Sequence, residues 1–150
     1  MRIRNIMNNK KGFSLIELAI AVVLLGILVG AVVVGGGMTT KMKIQHETDT
    51  VNTLVVASRN YLSASQTTYT GVGIAGLQTS NYLPGTFNAT TGNSWGGAYT
   101  VAANGTDATK LDVSVVGIPD ATTAGLLTNN FSSMATCVYT VASKTWTGTF

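Results

Sequence analysis

Cysteine and histidine each occur once in this 150-residue chain, proline occurs twice, and charged residues make up only 10% of it. An average soluble domain carries about 25% charge. One cysteine cannot close an intramolecular disulfide, and one cysteine with one histidine falls short of a four-ligand zinc site. The chain has no Ser/His/Asp set, no Gly-x-Gly-x-x-Gly, no phosphate loop and no Cys-x-x-Cys, so no residue pattern points to catalysis or to a cofactor. Basic residues are also scarce beyond residue 60, where only Lys110 and Lys144 occur. Tyr61, Tyr69, Tyr82, Tyr99 and Tyr139 therefore lack the electrostatic footprint that nucleic-acid binding requires. The 17 glycines follow no fixed period, which excludes collagen-like repeats.

What charge there is lies unevenly. The formal net charge of +3 arises at the N-terminus, where Arg2, Arg4, Lys10 and Lys11 fall within the first twelve residues. The remainder holds five basic and six acidic residues and is nearly neutral. A long apolar run follows at once. Leu18 to Met38 is uncharged over 21 residues, about 31 Å of helix at about 1.5 Å per residue, close to the thickness of a bilayer core. Apolarity on all sides favours a membrane helix over an amphipathic one. The basic segment is expected to hold the N-terminus in the cytoplasm and send the C-terminal part across the membrane. A secretory signal and a buried core helix are the competing readings, but the run exceeds the usual 7–15 residues of a signal core.

Glu17 interrupts this pattern, four residues after Phe13. An acid at membrane depth is costly and calls for a partner. Cleavage between Gly12 and Phe13 would supply one, because the new amine of Phe13 would lie near Glu17. Paired between neighbouring chains, the two charges would neutralise each other and fix an axial stagger.

The stretch Lys11-Gly12-Phe13-Ser14-Leu15-Ile16-Glu17-Leu18 resembles the class III leader signature of type IV pilins and pseudopilins. The resemblance implies that a prepilin peptidase/N-methyltransferase cuts after Gly12 and methylates Phe13. It maps the family's assembly glutamate onto Glu17, with Ser14 where the family motif has threonine. It further implies an inner-membrane precursor with a periplasmic head, an inner-membrane assembly machinery as partner, and a helical homopolymer outside the cell. Gly26 and Gly30 form a Gly-x-x-x-Gly face suited to close helix approach. Gly35, Gly36 and Gly37 weaken the helix further along, at about 1 kcal/mol each relative to alanine. Pilin helices lose helicity in part of this region when packed, so Gly26–Gly30 or Gly35–Gly37 is the expected extensible section.

The resemblance implies the pilin fold: α+β, with a long N-terminal helical spine against a small antiparallel β-sheet head. The expected order is a leader over 1–12, a filament-core helix over 13–38, an amphipathic continuation over 39–66 and a head over 67–150. In the continuation Val51, Leu54, Val55 and Leu62 recur at helical spacing, with Lys43, Gln45, Glu47, Asp49, Asn52 and Arg59 at the other positions. His46 is expected on the polar face. Residues 67–97 read as a connecting loop at the subunit surface, and strands are expected near 98–103, 111–116, 137–142 and 145–150. Asn104-Gly105 is a hairpin signal. Asp120 is placed to cap a short helix bearing Leu126, Leu127 and Phe131.

Leu83-Pro84, Asn93-Ser94-Trp95-Gly96-Gly97 and Val116-Gly117-Ile118-Pro119 resemble the head of type IVb pilins of the conjugative thin-pilus kind, whereas Phe13 at the cleavage site is more typical of type IVa pilins and a twelve-residue leader falls between the two. Many pilins close a C-terminal loop with a disulfide; Cys137 has no partner and is expected as a small buried hydrophobe. Asp107, Asp112 and Asp120 lack calcium-loop spacing, and the Asn88, Asn104 and Asn130 glycosylation patterns are expected by chance in so Asn- and Thr-rich a chain. Three functions fit the sequence. It reads best as a pilin forming an extracellular pilus, next as a type II secretion pseudopilin, and last as a non-polymerising single-span binding protein.

Overall fold

The computed structural model describes the backbone of residues 15–65 and 67–150, and the side chains of 39–64 and 67–150. The chain divides into two compact units, Met1–Thr39 and Thr40–Phe150. Helix α1, Leu15–Ser65, supplies backbone to both. The membrane-spanning expectation falls on residues 13–38, whose side chains lie outside those described. Among the described residues no helix is long and apolar enough to cross a membrane.

The second unit is α+β. After α1 come a short helix α2, Ile74–Thr79, strands β1, Tyr99–Ala103, and β2, Leu111–Val116, helix α3, Ala121–Phe131, and strands β3, Thr136–Thr140, and β4, Thr145–Thr149. The four strands form one antiparallel sheet in the order β1-β2-β4-β3. The last strand is thus inserted between β2 and β3. Alternation along the strands sorts their side chains by face. Tyr99, Val115, Trp146 and Tyr139 align across the four strands on the inner face. Thr100, Ser114, Thr147 and Val138 align on the outer one.

The core gathers Ile44, Val51, Leu54 and Val55 of α1, the inner face of the sheet, and Leu127 and Phe131 of α3. Trp146 and Phe131 are fully buried, with ring centroids 5.5 Å apart, and Phe150 meets Phe131 edge-on at 5.6 Å. Trp146 Nε1 donates to Thr128 Oγ1 at 3.0 Å, which satisfies its one polar atom. Asp120 accepts from the Thr123 N–H at 2.7 Å and so caps α3. Leu127 and Phe131 are buried, whereas Leu126 points outward.

Residues 67–97 differ from a plain surface loop. They contain α2, and Tyr69, Val72, Ile74, Leu77 and Leu83 enter the core. Short runs of small residues hid this contribution, since a six-residue helix shows too few turns for a periodic signal. Asn104 opens the β1–β2 connection. Its Oδ1 accepts from the Thr106 and Asp107 N–H groups, and its Nδ2 donates to Asp112 at 3.0 Å.

Candidate functional site

Gly12 and Phe13 lie outside the described residues, and so does the side chain of Glu17. The backbone at Glu17, Gly26, Gly30, Gly35, Gly36 and Gly37 is helical, within α1. The side chains that are described form a different polar centre, where α1 meets the head.

Glu47 is at its heart, and here the structure corrects the sequence reading. The residue expected on the polar face of the helix is fully buried. It sits three residues after Ile44 and four before Val51, within the stripe of α1 that faces the core. Its Oε2 accepts the Tyr99 hydroxyl at 2.6 Å, and its Oε1 accepts the Ser94 N–H at 2.7 Å. His46 Nδ1 stands 3.4 Å from Oε1 and from Ser94 Oγ, with its ring largely exposed. A buried carboxylate is tolerable only when its lone pairs are occupied. No buried side-chain nitrogen or oxygen among the described residues lacks a partner.

The segment that meets Glu47 is built for the purpose. Asn93 Oδ1 accepts from the Trp95 and Gly97 N–H groups at 3.0 and 2.7 Å, and Asn93 Nδ2 donates to the Val116 carbonyl at 2.5 Å. Gly96 has φ of +75°, a region that favours glycine. At Gly97 a Cβ would fall 2.0 Å from the Val116 oxygen, so only glycine fits. Asn93 thus folds the Asn-Ser-Trp-Gly-Gly turn onto the end of β2, and the turn offers the Ser94 N–H to α1.

Burial beside the Glu47 carboxylate strongly raises the Tyr99 phenol above its usual 10.0: desolvation contributes most, followed by the hydrogen bond and charge of Glu47. The other acids serve local structure. Asp107 is held below the usual carboxylate range, first by the Thr109 hydroxyl and then by the Thr109 N–H, and Asp120 is lowered chiefly by the Thr123 N–H. Asp112 accepts from Asn104 and from Thr149 Oγ1. Among the described residues no three acids, cysteines or histidines gather as a metal site. Cys137 is half-buried, and desolvation raises its thiol. The glycosylation-pattern asparagines have engaged side chains: Asn88 with Thr90 and Thr91, Asn104 as above, and Asn130 with Thr48.

Residues 7–33 match the prokaryotic N-terminal methylation motif. The match covers Gly12, Phe13 and Glu17 and supports a prepilin-like class III leader on a type IV pilin-like or pseudopilin protein. Such a leader implies processing by a prepilin peptidase and a membrane-anchored precursor. No curated protein and no solved structure matches the chain.

The sequence reading missed Glu47. The signal that finds it is its place on the helix: it continues the series Ile44, Val51, Leu54, Val55 at three- and four-residue steps. Carboxylates are almost never fully buried unless paired, and its partners Ser94 and Tyr99 are 47 and 52 residues away in sequence.

Proposed function

We propose that this chain is a pilin, a structural subunit rather than a catalyst, cut after Gly12, methylated on Phe13 and polymerised into an extracellular type IV pilus. The methylation motif over residues 7–33 carries this reading. In the filament the helices pack at the centre, and the Phe13 amine of one subunit meets Glu17 of a neighbour. Gly26–Gly30 or Gly35–Gly37 is the section that extends on packing. The Asn93–Gly97 turn and the Glu47 tie support the reading from the head side, because a load-carrying subunit needs its helix fastened to its sheet by groups that resist shear. The resemblance of that turn to thin-pilus heads supports a conjugative type IVb subunit, and Phe13 at the cleavage site supports type IVa.

Electron microscopy of material sheared from the cell surface tests the assignment. Long filaments containing this chain are expected. Chain confined to the cell envelope, with only short periplasmic assemblies, would instead make it a pseudopilin.

A further inference from the structure

Among the described residues the ion pairs are His46 with Glu47 and Lys110 with Asp107. Asp49 and Lys144 are therefore exposed charges with no opposite charge beside them, and the fold puts them on two complementary features.

The first feature is a groove of about 490 Å³ between α1 and the segment leading to β1. His46, Asp49 and Thr53 form its helical wall, while Leu83, Phe87 and Tyr99 form an apolar wall and floor. Phe87 and Tyr99 pack ring to ring at 5.7 Å. The groove has ligand-sized dimensions, and Asp49, whose Oδ1 accepts from Gln45 Nε2 at 3.1 Å, is its one acid.

The second feature is the β3–β4 turn. Val141 is 71% exposed there, and Lys144 follows three residues later. Lys144 has φ of +50°, a conformation that is strained for a non-glycine residue and persists where surroundings enforce it. The enforcement is visible: its carbonyl accepts the Gly117 and Ile118 N–H groups at 2.9 and 3.0 Å. The turn is thus a fixed knob with an apolar side and a cation.

We infer that the β3–β4 turn of one copy seats in the α1–β1 groove of the next, with Val141 against Pro84 and Phe87 and with Lys144 paired to Asp49. The inference rests on the assembly reading above and deepens it. Within one copy the turn does not serve its own groove: Lys144 sits beside the end of β2, two strand spacings or roughly 10 Å from β1, and it forms no ion pair with Asp49. A knob on one side and a hole on the other make a head-to-tail contact, which repeats into an open polymer. Preorganisation at Lys144 lowers the ordering cost of the contact. Lys110, the other head cation, is matched to Asp107; Lys41, Lys43 and Arg59 lie on α1 itself, the helix that carries Asp49.

The test uses the full chain in its own cells, with leader-cleaved protein and sheared filaments measured together. Asp49→Lys and Lys144→Asp alone are each expected to cut the filament yield about tenfold, with leader cleavage unchanged, and the double variant is expected to restore it. Lys144→Gly should relieve the backbone and hold or raise thermal stability while still lowering yield. In a Cys137→Ser background, Thr53→Cys with Val141→Cys should give a ladder of oxidised oligomers in filaments. Single variants that assemble like the wild type, or filaments without a ladder, would overturn the contact. Absence of filaments from the unaltered chain would overturn the assembly reading itself, and the contact with it.

Discussion

At the scale of single residues, Glu47 decides how the helix is fastened to the head. Truncation to alanine strands the Tyr99 hydroxyl and the Ser94 N–H in the core, at about 1–3 kcal/mol each. Glu47→Ala is expected to destabilise the folded head by about 2–6 kcal/mol, and Glu47→Gln by less, because the amide keeps one acceptor. Thermal unfolding followed by tryptophan fluorescence reads both. Tyr99 adds a pH signature. Its folded-state pKa lies above the unfolded value near 10.0, so the unfolded chain releases the proton first as pH rises. Its contribution is full below pH 10 and is lost above it. Tyr99→Phe should flatten the alkaline fall in stability, and an unchanged slope would count against the Glu47 tie. Gly97→Ala would drive a methyl into the Val116 carbonyl, so little folded protein is expected in a soluble-fraction assay.

At the scale of elements, local signals were the legible ones. Asp120 reads as a helix cap and caps α3. The alternating runs around Val101, Val113 and Val138 read as strands and lie in β1, β2 and β3. The insertion of β4 between β2 and β3 is not visible, because it depends on pairings between distant segments; the burial of Glu47 shows in its helical spacing, but its partners Ser94 and Tyr99 do not. Helix α2 escapes notice for the opposite reason: it is too short to show a period. The cap carries its own test. The Asp120 carboxyl titrates below its unfolded 3.8, so its stabilisation is present above that value and fades as pH falls through the folded pKa. Asp120→Asn keeps the cap and should shrink the acid loss of stability in a pH series of melting temperatures. Asp107, lowered in the same direction, maintains a residual slope.

At the scale of the whole molecule, the basic residues that make the chain formally positive sit in its leader. With the cleavage after Gly12 that we propose, the residues from Phe13 onward would be nearly neutral, with five basic and six acidic side chains. In the proposed filament, assembly would turn on the Phe13 amine and Glu17, and on the inferred contact between the Asp49 groove and the Lys144 turn. Glu17→Ala should leave cleavage intact and abolish filaments, read by immunoblot of whole cells against the sheared fraction; normal filaments would refute its role. The most direct measurement of the central claim is intact-mass and N-terminal analysis of this chain from sheared surface filaments. The account predicts one dominant species beginning at methylated Phe13. A chain that retains residues 1–12, with none recovered in filaments, would contradict it.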